Sequence, residues 1–366
     1  MTSCGDQWQL QRYPKIANDP LQAWEAADEL LHQCMVERND QAPLLVNDQW
    51  GALLMPLAHQ QVASVSDSYV SHCAWLANLE ANQLTSQLQR ITPLDPLPTM
   101  TDVVYLKLPK SLSLLEFQLA KLAAELPPQT PLFAAAKSKL LTPSVRALFE
   151  RYCETVEFSL IQRKCRVVSA TLKSVPYAAN AFISQWQLPE YQLQLTHHAG
   201  VFARNQLDIG ARFLLAHLPP AGAAQVIDLG CGNGVLGLRY AQLSPNSRVH
   251  FVDESYLTIA SVSENIATNL PNSSLYTVAV DDCLTAQASH SADLILCNPP
   301  FHQEHVITEH IAQQMFRDSK RVLRKNGELW VVANRHLPYY HSLKRLFRTV
   351  KTVAQNNKFM IYQARG

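Results

Sequence analysis

From Leu218 onward the chain alternates short apolar runs with stretches whose apolar residues recur every three or four positions. QVIDLG is an apolar run ending in glycine, VLGLRYAQL has helical spacing, and RVHFVDES is a second apolar run. SYLTIASVSENIATN is helical again and DLILCNPPF is a further buried strand. ELWVVAN, a basic helix SLKRLFRTV and a last strand FMIYQA complete the series. Buried strands alternating with helices predict a parallel sheet covered on both faces.

The first half repeats this order. PLLVNDQWGAL stands where QVIDLGCGNGVL stands, and SVSDSYVSHCAWLANLEAN parallels HFVDESYLTIASVSENIATN. DVVYLKLPKSL parallels DLILCNPPFHQ, PLFAAAKSK parallels ELWVVANRH, and RKCRVVSA parallels NKFMIYQA. Asp48 is paired with Asp228, Asp67 with Asp253, Asp102 with Asp293, and Leu132 with Leu329. A slowly drifting offset is what a tandem duplication with small insertions leaves, whereas unrelated domains rarely share five segments in one order. The fold class is therefore α/β, with two tandem Rossmann-like domains at 1–172 and 173–366. FISQWQLPEYQLQLTHH reads as a hairpin around Leu188-Pro189-Glu190 belonging to the second domain.

Length agrees, since 366 residues suit two domains. The net charge of +1 is uninformative, but residues 101–180 and 309–366 are both basic. Two such segments suit a polyanionic partner, although solvated helix faces would look the same. The eight cysteines form no CxxC pair and no zinc-like spacing, so no metal is expected and a reducing cytosol fits. With no signal-peptide pattern and no run of eighteen apolar residues, the expectation is a cytoplasmic protein that does not engage a membrane.

Chemistry concentrates in the second half. Asp228-Leu229-Gly230-Cys231-Gly232-Asn233-Gly234 follows a strand and opens a helix, so bare backbone can approach a ligand there. Val235 stands where a dinucleotide fingerprint needs glycine. Asp228 can hold a cationic amine at the mouth of the loop. Asp253 closes the next strand and can accept from both hydroxyls of a ribose. Asp281 and Asp282 can reach an adenine amine or can be an ordinary turn pair.

Asn298-Pro299-Pro300-Phe301 follows Leu294-Ile295-Leu296 at the carboxyl end of a strand, where open α/β sheets place active sites. An aryl amine is a weak nucleophile because its lone pair is delocalised into the ring. Two fixed acceptors, the Asn298 side-chain oxygen and the Pro299 carbonyl, can draw both hydrogens out of plane and localise that pair. Phe301 offers a flat face to an extruded base. A rigid turn with a buried Phe is the bland alternative, weakened by the glycine loop upstream in the right order. His198 reads as a packed or capping residue, and His302 and His305 as either RNA contacts or caps.

Together DLGCGNG, NPPFH, the HAGVF segment, the basic tail and an inactive first copy resemble the bacterial tandem-domain ribosomal RNA guanine-N2 methyltransferases. LQAWEAADE, LDIGARF, FVDES, VANRHLPY and NNKF look closest to the branch acting on large-subunit RNA. The resemblance implies two class I methyltransferase domains, the first degenerate. It implies S-adenosyl-L-methionine as cofactor and one N2-methylguanine in protein-free 23S rRNA. It places cofactor roles on Asp228, Gly230, Gly232, Gly234, Asp253 and, more loosely, Asp282, and catalytic roles on Asn298, Pro299 and Phe301. The sister enzymes of 16S rRNA share the plan. A protein glutamine-N5 methyltransferase needs the same acceptor pair, but its turn usually ends in Tyr and it lacks a dead copy. A nicotinamide dehydrogenase has no use for NPPF.

In the first half the glycine loop is reduced to Asn47-Asp48-Gln49-Trp50-Gly51 and NPPF becomes Leu108-Pro109-Lys110. That copy is expected to keep the fold, lack the site and dock RNA through Lys107, Lys110, Arg163 and Lys164.

Overall fold

The structure, a computed structural model, describes residues 7–16, 19–300 and 305–366, with backbone alone at 273 and 305–309. The chain divides into two units between Phe182 and Ile183, further along than a boundary after residue 172. The intervening residues belong to the first unit because Tyr177 and Phe182 stack on each other and meet the edge of Phe117.

In the first unit the strands are β1 (Pro43–Val46), β2 (Gln61–Val65), β3 (Gln87–Ile91), β4 (Val103–Lys107), β5 (Pro131–Lys137), β6 (Cys153–Phe158) and β7 (Cys165–Leu172). They form one sheet in the order β3-β2-β1-β4-β5-β7-β6. The second unit opens with a hairpin, β8 (Ser184–Leu188) and β9 (Leu193–His197). Its main strands are β10 (Gln225–Leu229), β11 (Arg248–Asp253), β12 (Tyr276–Val280), β13 (Ala292–Cys297), β14 (Leu323–Asn334), β15 (Thr349–Gln355) and β16 (Phe359–Arg365). Their order, β12-β11-β10-β13-β14-β16-β15, is that of the first unit strand for strand.

Each sheet is mixed rather than wholly parallel. Five adjacent strands pair in parallel, but β16 is antiparallel to both β14 and β15, as β7 is to β5 and β6. The stretch SLKRLFRTV, expected as one helix, breaks after Leu346 and its end enters β15. Because β15 is an edge strand with mostly exposed residues, it carries no apolar run to announce it. Central strands are buried on both faces. Val226, Leu294 and Leu296 join one core, while Ile227, Leu229, Ile295 and Cys297 join the other, as the pleat requires.

Register fixes the correspondence between the copies. Leu44 lies opposite Val104 as Ile227 lies opposite Ile295, and Val104 meets Leu132 as Ile295 meets Leu329. The Asn47 amide donates to Val65 O, as that of Gly230 does to Val252 O. Ser68 and Ser255 cap equivalent helices through Ser71 N and Thr258 N. The pairing of Leu132 with Leu329 holds, but those of Asp48 with Asp228 and Asp67 with Asp253 do not. Asn47 matches Gly230 and Gly51 matches Gly234, each pair at positive φ. Asp48 therefore matches Cys231, Leu45 matches Asp228 and Ser66 matches Asp253. The first copy has lost both acids as well as two glycines.

Candidate active site at the strand ends of the second unit

The loop Gly230–Gly234 joins β10 to the helix Val235–Leu243. Three alternate residues have positive φ, at 64°, 54° and 79°, so the chain turns back on itself within one helical turn. The amides of Gly230 and Cys231 both donate to Val252 O, at 2.8 and 3.0 Å, which fastens the loop to β11. A Cβ at Gly232 would meet nothing within 4 Å, so this peptide faces open space. Gly237 is another glycine of the site, though the sequence pattern did not single it out. A Cβ there would lie 2.4 Å from the Phe251 ring and 3.0 Å from Asp228 Oδ2. Its absence lets the Gly237 amide reach Asp228 Oδ2 at 2.8 Å.

Asp228 is 1% exposed, and its Oδ1 has no hydrogen-bond partner among the described residues. Burial pushes its pKa up to about 7, against the pull of the Gly237 amide. Asp253 accepts from Gly232 N at 3.1 Å and from Ser255 N at 3.1 Å. Burial raises its pKa too, and those amides oppose the rise. Asp281 and Asp282 part company. Both oxygens of Asp281 are used within the following turn, by Thr285 Oγ1 at 2.5 Å and Ala286 N at 2.9 Å. Asp282 keeps one buried oxygen, Oδ2, without a partner among the described residues, and burial raises its pKa.

Asn298 follows β13 directly. Its Nδ2 donates to Asp208 Oδ2 at 3.1 Å, and its Oδ1 is buried with no partner among the described residues. Asp208 escaped the sequence reading. It is the N-cap of the helix Ile209–Leu215, a signal legible in LDIGARF, but nothing in the sequence ties it to a residue ninety positions later. Pro299 is buried beside Asn298. Phe301 and His302 lie outside the described residues, as does the side chain of His305. His198 pairs with Glu264 at 2.8 Å, a packing role. Its neighbour His197 stacks on Trp186 and meets Asn233 of the glycine loop at 3.2 Å. Asn265 binds both Thr196 O and Asn233 O, so β9 braces the loop.

Three partnerless acceptors, Asp228 Oδ1, Asp282 Oδ2 and Asn298 Oδ1, thus sit at the carboxyl ends of β10, β12 and β13. A buried acceptor without a donor is costly, so such a set suits a donor-rich ligand. Among the described residues there is no cluster of side chains able to hold a metal. No helix among them is long and apolar enough to cross a membrane.

The same edge of the first unit is closed. Asp48 is fully buried and accepts from Gly51 N, Leu53 N and Leu54 N at 2.9–3.1 Å. Asn47 and Gln118 bond to each other, and a cavity of about 20 Å³ beside Val46, Val65 and Phe117 has room for no more than a water. Lys107 corrects an expectation. It occupies the position of Asn298 but does not face outward, because its Nζ lies 2.9 Å from Asp28 Oδ1 and both side chains are largely buried. Burial opposes its charge, yet Asp28, with Glu25 and Asp48 behind, outweighs that and raises its pKa. A lysine so committed is lost to phosphate. Arg163 is exposed and pairs with Glu29, while Lys110 and Lys164 are exposed with no acid in ion-pair reach among the described residues.

The comparisons with known proteins match these two units separately and together. A family model described as the RLMG N-terminal domain matches residues 1–174, and one described as the methyltransferase small domain matches residues 192–363. Ribosomal RNA large subunit methyltransferase G of Aeromonas salmonicida is 45% identical over 361 residues, covering 97% of this chain and 96% of the relative. That of Erwinia tasmaniensis is 42% identical over 359 residues, with coverage of 97% and 96%. Among solved structures, the T. thermophilus 16S rRNA N2 methyltransferase in complex with AdoMet and guanosine superposes with a TM-score of 0.77. It shares 21% identity, covering 98% of this chain and 93% of that one, a likeness of fold.

Proposed function

We infer the reaction from one premise: this chain belongs to the ribosomal RNA large subunit methyltransferase G family, which it matches along nearly its whole length. It is an S-adenosylmethionine-dependent ribosomal RNA methyltransferase of the class I fold. Within that identity we propose N2-methylation of one guanine in protein-free 23S rRNA, in the cytoplasm. The likeness to the 16S enzyme is one of fold and does not favour that RNA.

The residues of the second unit fit the cofactor. Asp228 Oδ1, buried without a partner, suits its ammonium group, and the glycine loop is open to backbone approach at Gly232. Asp253 would take the ribose hydroxyls and Asp282 the adenine amine, with Gly230, Gly232 and Gly234 shaping the cradle. When bound, the cofactor supplies a methyl group on a positively charged sulfur.

The observation that carries the reading is the Oδ1 of Asn298 at the end of β13, buried and without a partner among the described residues. That oxygen and the Pro299 carbonyl accept the two hydrogens of the guanine amine. They gain strength as the nitrogen becomes positive during attack, so they favour the transition state over the bound substrate. Phe301 would stack on the base. Mass mapping of modified guanines in rRNA from cells with and without the gene tests this reading. One N2-methylguanine of 23S rRNA should vanish without the gene, and an unchanged map would refute the proposal.

The acid at the loop mouth adds a pH signature. Below about pH 7 Asp228 is largely protonated, and binding an ammonium there must expel the proton. Cofactor affinity should therefore rise between pH 5.5 and 7.5, approaching about tenfold per unit at the acid end. Calorimetry should show this slope in the wild type and its loss in Asp228→Asn. A flat wild-type profile would remove Asp228 from the ammonium site.

The first unit would dock RNA through Lys110, Arg163 and Lys164, which follow β4 or precede β7 and so share one edge of the sheet. Phosphate contacts position a substrate without reading bases. Lys110→Glu with Lys164→Glu should weaken RNA binding and lower its salt slope by roughly one per lost contact, with cofactor affinity unchanged. An unaltered slope would reduce the first unit to scaffolding.

A further inference from the structure

We propose that Asp208 is a positioning residue for the methyl transfer, setting which end of the Asn298 amide faces the base. The inference rests on the reading above, in which the Asn298 oxygen accepts from the target amine. An asparagine amide has an oxygen and an NH2 group of nearly equal size, related by a half-turn about its last torsion. Only one orientation is competent. With NH2 toward the base, donors would face the donors of the guanine amine and the nitrogen lone pair would stay in the ring.

The contact with Asp208 selects the competent orientation. An ionised carboxylate only accepts, so Asn298 must present Nδ2 to it, which leaves Oδ1 pointing away. Nδ2 lies 3.1 Å from Asp208 Oδ2, and Oδ1 is buried with no partner among the described residues. The reverse orientation would set oxygen against oxygen and bury two unmatched donors. Asp208 is itself held still, because the same Oδ2 accepts from Ala211 N at 2.8 Å and caps the helix Ile209–Leu215. One oxygen thus links the start of a helix to the catalytic amide.

The first unit supplies an independent sign that this junction matters. Lys107 replaces Asn298 there, and it too is held by an acid, Asp28, in the first turn of the helix Ala26–Val36. Glu25, the N-cap of that helix, stands where Asp208 stands. Where no amide needs orienting, the contact has become a buried ion pair.

The geometry dictates the test. Asp208→Ser keeps an N-cap oxygen, but the shorter side chain cannot reach Asn298. Asp208→Asn offers one amide oxygen that can accept both bonds, so it is the rescue variant. Turnover at saturating RNA and cofactor should fall roughly ten- to a hundredfold in Asp208→Ser, the worth of one hydrogen bond to a charged group. Cofactor affinity and thermal midpoint should stay close to wild type, and Asp208→Asn should restore most of the turnover. In an Asn298→Ala background Asp208→Ser should slow the reaction no further, whereas a merely structural role would slow both backgrounds alike. The proposal is overturned if Asp208→Ser matches wild type while Asn298→Ala is slow, if the two losses multiply, or if Asp208→Asn is as slow as Asp208→Ser. Normal turnover by Asn298→Ala would instead refute the underlying reading of the site.

Discussion

Asn298→Ala should lower turnover by roughly a hundredfold or more while leaving S-adenosylmethionine affinity nearly unchanged. The split follows from where the group sits. Asn298 lies beyond β13, its NH2 is committed to Asp208, and its oxygen is the buried acceptor left over. The cofactor groups assigned above fall instead on the end of β10 and the loop after it, the end of β11 and the turn after β12. Truncation removes an acceptor whose bond strengthens only as positive charge grows on the attacking nitrogen, so the loss belongs to turnover. The Pro299 carbonyl remains, which keeps residual activity measurable. Single-turnover rates at saturating RNA, with calorimetry of the cofactor, check both halves. Weak cofactor binding with normal turnover would contradict the assignment.

Gly232→Arg should abolish cofactor binding, and the wild type should bind one cofactor per chain. Gly232 has a φ of 54°, which any other residue adopts at a cost, and a side chain there would extend into the open space beside the loop. Its amide also anchors Asp253, so a displaced loop would disturb the acid assigned to the ribose. No second site is expected, because the first unit fills the matching edge with its own groups. Asp48 takes the amides of its own loop, and Lys107 with Asp28 occupies the place that Asn298 holds in the second unit. Titration calorimetry measures both claims at once. Two sites per wild-type chain, or binding that survives Gly232→Arg, would contradict them.

The duplication was legible in the sequence because a central strand buried on both faces is a continuous apolar run, and five such runs recur in order. The glycine loop and NPPF were legible because each answers a local need, close backbone approach or a stiff turn. Register was harder. Asp48 looked like the partner of Asp228 since each ends an apolar run before glycine, yet it occupies the position of Cys231 and caps its own loop. Edge strands such as β15 escaped because one exposed face and an exposed edge leave few apolar positions to count. Lys107 read as surface charge because its partner, Asp28, lies seventy-nine residues earlier on another element. Asp208 escaped for the same reason. Contacts made by folding across long separations leave no periodicity, and these two decide what each strand end can do.

The central claim is that the second unit methylates N2 of a guanine in 23S rRNA. The most direct measurement incubates the purified full chain with labelled S-adenosylmethionine and protein-free 23S or 16S rRNA from cells lacking the gene, then digests the RNA to nucleosides. The account expects label in N2-methylguanosine alone, approaching one per 23S molecule and absent from 16S. Label in another nucleoside, in 16S rRNA instead of 23S, or in no RNA at all would contradict it.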